Sequence, residues 1–453
     1  MQDNKQVSLE DVLIARENRL EQQRRLIKKH GFSLVSYTLN IAGPVKRFPL
    51  GDRCFFAGKQ EIEYSLQFMK AKIAECIFID SDTGLECIWA VNADALTLKS
   101  VFSELEESHP LGRLFDIDII TNEGEKIPRS AVFLSERGCF ICGSSGSGCA
   151  RNRTHSNEEL FSYIYSTISD YFIQKDVQVI AKNAVRAMLY ELSASPKPGL
   201  VDRYNSGAHS DMDFFTFIDS SLALYPYFTD MAMMGAAHRS EAAQTLLIKL
   251  RRRGLLAENE MFEASGGVNT YKGLVFSLGI ICAACGYLGL PLTAERIFHV
   301  SSEIAAPALA SDLKDVTQQN AATSGEKVYV KYGITGIRGE AAAGFPSVRQ
   351  WGLPEFNSAI KRGCSPGDAG IIALLHLLAN VCDTNVIKRA GREELNNIQK
   401  ELKSFLAANP NDNDILEYSA NLDRQFISKN ISPGGCSDLL ALTYMIFFME
   451  ETV

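Results

Sequence analysis

The chain has 453 residues, 46% hydrophobic and 22% charged, with a formal net charge of −8. That length exceeds one ordinary core and implies at least two domains, while the acidic balance argues against a protein built to coat nucleic acid or an anionic membrane. No apolar run reaches membrane-spanning length, the start lacks the apolar segment of a secretory signal, and the eleven cysteines are odd in number and scattered; reduced thiols in a cytoplasm are expected rather than a disulfide framework.

A helical period over 9–30 opens the chain, and β-like runs follow at 32–40, 75–80, 85–92, 114–121 and 131–136, with helices at 60–73 and 93–107. The first half therefore reads as α+β or α/β on a modest mixed sheet. In LGRLFDIDII (111–120), Asp116 and Asp118 alternate with Phe115, Ile117 and Ile119, so both carboxylates point to one sheet face. Two acids there repel unless a cation sits between them; Mg²⁺ with a phosphate substrate is one reading, an exposed polar face the other. Arg113, just before them, is a phosphate-compatible cation. Farther on, Cys139, Cys142, Cys149 and His155 have the spacing C-x2-C-x6-C-x5-H. That spacing can close a tetrahedral Zn²⁺ site, and free structural thiols fit it equally well. Arg151 and Arg153 beside them suit phosphate or an acidic partner.

Beyond about residue 157 the 3.6-residue period takes over, at 157–193, 212–235, 239–254, 269–288, 292–312, 367–390, 393–408 and 436–451. Only KVYVKYG (327–333) reads as a strand. The second half is expected to be all-α, which sets the domains at 1–175 and 176–453.

The segment PKPGLVDRYNSGAHSDMD (196–213) interrupts this helical half with prolines, glycines, acids and bases. A loop of that composition between apolar helices is where an enzyme keeps its site, a solvated connection being the plainer reading. It supplies Lys197, Asp202, Arg203, His209 and Asp211. GGVNTYKG (266–273) begins a helix and sets Asn269 and Lys272 one turn apart. The stretch 323–346 mixes five glycines with Arg338 and Glu340, a density suited to backbone closing around phosphates, without the spacing of a P-loop or dinucleotide fingerprint. His376 and Asp383 lie seven apart on one helical face. SPGD (365–368) and SPGG (432–435) each put Ser at an N-cap and Pro at the first helical position, with Asp438 just beyond the second.

The blocks PKPGLVDRYNSGAHSDMD, GGVNTYKG, GIRGEAAAGFP, DTNVIKRAG and SPGGCSD, in this order over roughly 180–450, resemble the triphosphoribosyl-dephospho-CoA synthases. NIAGPVKRF (40–48), HPLGRLFDIDI (109–119) and CFIC…CARNRTH, within about 10–175, resemble the holo-[acyl-carrier-protein] synthase of citrate lyase. The first resemblance implies that the 2′-hydroxyl of 3′-dephospho-CoA attacks C1 of the ribose of ATP and adenine leaves with the triphosphate intact. It implies Lys197 and Arg338 on phosphates, Asp202 and Asp211 for metal or base work, Glu340 and Asp383 as further carboxylates, and Arg203, His209, Asn269, Lys272 and Asp438 on substrate. One departure is Tyr271, where the family commonly has His, so no proton transfer is assigned there. The second resemblance implies transfer of phosphoribosyl-dephospho-CoA to a serine of the lyase's acyl carrier protein (its γ subunit), releasing pyrophosphate. A nucleotidyltransferase-like fold would then hold Mg²⁺ on Asp116 and Asp118, with Lys46 and Arg113 on phosphates. Two rivals remain open: the malonate decarboxylase counterpart, and a nucleotide-sensing helical module fused to a zinc-bound interaction domain.

Overall fold

The computed structural model describes residues 5–144, 146–152, 154–314, 316–321 and 323–452. The chain divides into two compact units, Met1–Phe172 and Ile173–Val453.

In the first unit, α1 (Leu9–His30) leads to β1 (Ser33–Leu39), α2 (Pro49–Phe68), β2 (Lys72–Ser81), β3 (Gly84–Asn92), α3 (Ala95–Ser108) and β4 (Phe115–Ile120). Short α4 (Gly146–Asn152) and then α5 (Asn157–Ser193) follow, the latter running on into the second unit. Local chemistry explains the boundaries of α1. Ser8 and Asp11 form a reciprocal capping box, three basic residues occupy the last turn, and Gly31 ends the helix at φ 65°.

The four strands form one sheet in the order β2-β3-β1-β4. Every pairing is antiparallel, which corrects the mixed sheet expected from sequence. Only the two-residue turn between β2 and β3 joins sheet neighbours directly; α2 and α3 each cross over to a strand two places away, and the strand between runs antiparallel to both. Leu34, Ile88, Ala90 and Ile120 on one face pack with Leu26 of α1. Val35, Tyr37, Trp89, Ile117 and Ile119 on the other pack with α2, α3 and the start of α5. The run 131–136 is not a fifth strand: Arg129–Val132 is a turn of 3-10 helix and the chain then leaves the sheet.

The second unit contains α6 (Phe214–Ala223), α7 (Tyr225–Ala237), α8 (Leu246–Ala264), α9 (Lys272–Leu288), α10 (Ala294–Lys314), α11 (Ser324–Tyr332), α12 (Gly336–Ala342), α13 (Leu353–Lys361), α14 (Pro366–Asn380), α15 (Thr384–Ala407), α16 (Asp412–Ser428) and α17 (Gly434–Glu450). No strand occurs among its described residues. KVYVKYG is helical: Thr323 caps α11 in a box with Glu326, and that local start overrides the β-branched run. The glycine-rich stretch 323–346 is accordingly not an open cradle but two short helices, α11 and α12.

Helices α9, α14 and α17 are buried on nearly every side and form the core. Each fully buried Leu or Ile there contributes roughly 1.5–3 kcal/mol of transfer free energy. Helices α7 and α9 cross closely because Gly235 and Gly286 lack side chains; a Cβ on either would fall 2.0 or 1.9 Å from a carbonyl oxygen of the partner helix. No single helix among the described residues is long and apolar enough to cross a membrane.

Candidate active sites

In the first unit the β1–β4 register sets Thr38 opposite Asp116 and Ser36 opposite Asp118, so both aspartates share the face that α1 covers farther along. A cleft of about 170 Å³ opens beside them, lined by α1, the end of β1, the loop carrying Lys46 and Arg47, the β2–β3 turn, and Asp116. Asp116 is open to this cleft and walled by protein elsewhere; that partial desolvation, then the charge of Asp118, raises its carboxyl above the usual range. Asp118 instead pairs with Lys126 at 2.6 Å. Glu86 is buried and held by a two-point fork from Arg19 at 2.6 and 2.7 Å. Burial works against the charge of Arg19, but Glu86 and the two aspartates outweigh it and raise its pKa.

Lys46 lines the cleft and donates to the Ile41 carbonyl, and burial followed by nearby Arg16 lowers its pKa. Arg47 forks onto Asp52 at 2.8 Å. Arg113 does not line the cleft: its guanidinium donates to the Gly138 carbonyl at 2.6 Å and lies over Phe140. Sequence reasoning missed Arg16, Arg19 and Glu86. The i, i+3 arginines on a helix that precedes the paired-acid strand carried that signal.

Cys139, Cys142, Cys149 and His155 come together, their ligating atoms within 4.8 Å of one another. The His155 ring, followed by Ser144 and Cys149, pulls the Cys142 thiol down to about 6. Arg151 is exposed, and Arg153 lies outside the described residues.

In the second unit, the loop after α5 folds around its own acids. Asp202 is buried and accepts from the backbone N–H groups of Lys197 (2.9 Å), Tyr204 (2.7 Å) and Asn205 (3.2 Å). Asp423 of α16 accepts from Gly199 N–H at 2.8 Å and from the Asn205 amide at 3.0 Å, tying the loop to the bundle. Lys197 is 1% exposed and its ammonium meets Glu191 at 2.5 Å, while Ser437 donates to the same carboxylate oxygen at 2.5 Å.

Around that pair stand further acids. Asp383 is buried and accepts from the N–H groups of Asn385 (2.8 Å), Val386 (3.1 Å) and Cys436 (2.8 Å); burial raises its pKa and those three bonds oppose the rise. Asp438, at the start of α17, rises well above the carboxylate range through burial, then through the charges of Glu191 and Asp383. It sits against Gly273 so closely that a Cβ there would lie 2.2 Å from its Oδ2. Glu340 is raised by burial and held by Ser347 through its hydroxyl (2.6 Å) and N–H (3.1 Å). Tyr271 is buried and accepts from Ser221 at 3.3 Å.

The other residues singled out in the sequence lie in looser settings. His209 Nε2 meets the Ser432 hydroxyl at 2.9 Å and Arg389 approaches its other nitrogen at 3.4 Å; burial, then Arg389, lowers its pKa. Asp211 is exposed, 3.9 Å from His209. Arg203 is exposed above Tyr204, Lys272 pairs with Glu258 at 2.7 Å, and Arg338 with Glu326 at 3.5 Å.

Three local expectations are corrected. Asn269 is not in a helix with Lys272 but precedes α9, accepting from its first N–H at 3.2 Å. His376 and Asp383 do not share a helix, because α14 stops at Asn380 and Asp383 caps α15. Ser365 does cap α14, yet Ser432 does not cap α17; its hydroxyl turns to His209. Glu191 went unnoticed, since one acid near the end of a 37-residue helix carries no local signal.

Residues 7–171 match the family model of apo-citrate lyase phosphoribosyl-dephospho-CoA transferase, and residues 177–453 that of ATP:dephospho-CoA triphosphoribosyl transferase. The chain is 34% identical to Protein CitXG of Haemophilus influenzae, over 98% of this chain and 96% of that protein. It is 32% identical to Protein CitXG of Leuconostoc mesenteroides, over 97% of each. It is also 36% identical to a 2-(5''-triphosphoribosyl)-3'-dephosphocoenzyme-A synthase of Haemophilus ducreyi, over 68% of this chain and 99% of that one. The chain belongs to the family of bifunctional transferases in which an apo-citrate lyase phosphoribosyl-dephospho-CoA transferase is joined, in that order, to an ATP:dephospho-CoA triphosphoribosyl transferase.

Proposed function

We propose that the helical unit cuts ATP at its N-glycosidic bond, joining the triphosphoribosyl group to the 2′-hydroxyl of 3′-dephospho-CoA, and that the first unit then moves phosphoribosyl-dephospho-CoA onto a serine of the citrate lyase acyl carrier protein, its γ subunit. The observation that carries the first step is the convergence of Glu191, Lys197, Asp383 and Asp438, from three separated stretches of chain, onto one cluster. Breaking a glycosidic bond to a purine needs a proton donor for the leaving base and negative charge near the developing oxocarbenium ion. Asp438, whose carboxyl is pushed toward the protonated form by burial and by the charges of Glu191 and Asp383, has the character of the donor. Glu340 and Glu191 supply carboxylates. Asp383 acts by position: it grips the Cys436 N–H and so fixes the first turn of α17, where Asp438 stands. Asp202 likewise shapes the loop that presents Arg203, His209 and Asp211, with exposed Asp211 3.9 Å from His209 as a base. Arg338, Lys272 and Asn269 stand at helix starts suited to phosphates.

For the first unit we infer a nucleotidyltransferase-like use of the sheet. Asp116 fits a Mg²⁺ ligand, since its carboxyl faces a cationic cleft and is disfavoured as an anion by burial and by Asp118. When bound, Mg²⁺ would neutralise charge on the phosphates. Lys46 and Arg16 would hold the pyrophosphate end, and Arg19 steadies Glu86 behind them. Arg113 acts on the following loop rather than on phosphate. Eleven unpaired cysteines support a cytoplasmic setting.

The test is the full chain with ATP, 3′-dephospho-CoA and Mg²⁺, products identified by mass. Free adenine with a triphosphoribosyl adduct is expected, and apo-carrier protein should then gain the phosphoribosyl-dephospho-CoA mass as pyrophosphate appears. A cleaved phosphate chain with adenine retained would overturn the reading. Modification of a malonate decarboxylase carrier in place of the citrate lyase carrier would redirect it.

A further inference from the structure

The segment after β4 is long and buries little. Phe133 and Ile141 are exposed, and Phe140 is its partly buried contact with the core. Among the described residues between 138 and 155, the backbone bonds outside the short α4 include Cys139 N–H to the Ser144 carbonyl and Thr154 N–H to the Cys149 carbonyl. A segment of this length with so little apolar anchorage past Ile127 needs another source of order.

Two independent observations identify one. The ligating atoms of Cys139, Cys142, Cys149 and His155 lie within 4.8 Å of one another, with the Cys142 and Cys149 sulfurs 3.4 Å apart. Zinc–ligand bonds of about 2.0–2.3 Å in a tetrahedron place neighbouring ligand atoms roughly 3.3–3.8 Å apart. In addition, His155 Nε2 is buried without a hydrogen-bond partner. Such a nitrogen is costly to bury unless something accepts its lone pair or its proton. A disulfide between two of the cysteines would leave the third thiol and the imidazole unsatisfied.

We propose that Cys139, Cys142, Cys149 and His155 bind one Zn²⁺ as a closed, four-coordinate structural site. Binding displaces the thiol protons, and all four positions are filled by protein, leaving none for substrate. The site anchors the segment that braces the Asp116 strand. Arg137, two residues before Cys139, donates to the Phe115 carbonyl at 2.7 Å and pairs with buried Glu106 at 2.5 Å; Arg113 donates to the Gly138 carbonyl. Resting on the function proposed above for the first unit, loss of zinc should lower carrier modification through these braces while sparing adenine release.

The test is metal content, independent of either activity. Full chain, purified reduced and without chelating resin, should carry one zinc by elemental mass spectrometry. Exchange for Co²⁺ should give the intense visible bands and thiolate charge-transfer absorption of a tetrahedral site. Cys149→Ser should lower zinc at least roughly tenfold, His155→Cys should keep it, and Cys382→Ser should leave it unchanged. Should Cys149→Ser fail to fold, the wild-type cobalt spectrum decides. Absent zinc, a weak octahedral cobalt spectrum, or full zinc in a folded Cys149→Ser chain would overturn the proposal. Zinc bound without any carrier modification would leave it standing and count against the function assigned to the first unit.

Discussion

The two units hold their charged groups by opposite means. In the first, Glu86 and Asp116 line an open cleft beside an antiparallel sheet, and carboxylates are balanced by side chains: Arg19 on Glu86, Lys126 on Asp118, and Arg47 on Asp52 of α2. In the second, acids are withdrawn from water and balanced largely by backbone N–H groups, three on Asp202 and three on Asp383. A sheet presents alternate side chains to one surface and cannot enclose them, whereas a bundle of helix ends can. The contrast suits the chemistry assigned to each: one unit must admit a protein serine, and the other must keep a carboxyl protonated.

Substitutions can break or sharpen this contrast. The largest effect is expected at Asp438. Asp438→Asn should slow adenine release by about 10²–10⁴-fold and abolish the fall in wild-type rate as pH rises through the raised pKa, since only the protonated carboxyl donates. The same change should stabilise the fold at neutral pH. A carboxyl whose folded pKa is raised contributes most at acidic pH and loses that contribution as pH climbs, and the amide does not ionise. Rate–pH profiles and Tm measured together check both signs.

Asp116→Asn should reduce carrier modification by roughly 10²–10³-fold with adenine release intact. Loss of both activities would show that the units do not work separately. Lys197→Met leaves Glu191 buried without its cation and should cost about 3–5 kcal/mol in denaturant titration, much of it recovered in the Lys197→Met, Glu191→Gln double variant. Gly273→Ala forces Asp438 aside and should lower adenine release about 10²-fold with little change in Tm. Ser365→Ala removes only the cap of α14, for about 1 kcal/mol and no change in either activity.

Much of this was legible locally. The capping box at Ser8 and the period behind it mark α1; alternation in FDIDII sets both aspartates on one face; Gly391, at φ 90°, breaks α15 where the helical period lapses. The break at Asp383 was hidden by the apolar run around it, and the start of α11 by its β-branched residues. The i, i+3 spacing of Arg16 and Arg19 marks a cationic helix face, but only the fold brings that face and Glu86 to one cleft.

The residue types, the two periodicities, the ordered blocks and the cysteine spacing were determined by the sequence alone, since each depends on neighbours a few positions away. Sheet direction and the meeting of Asp438 with Gly273 were decided by tertiary structure, and so was the joint burial of Lys197 and Glu191, although these two stand six residues apart. Those contacts join segments up to 165 residues apart (Gly273 to Asp438), and their energy comes from shared burial, which no short window contains.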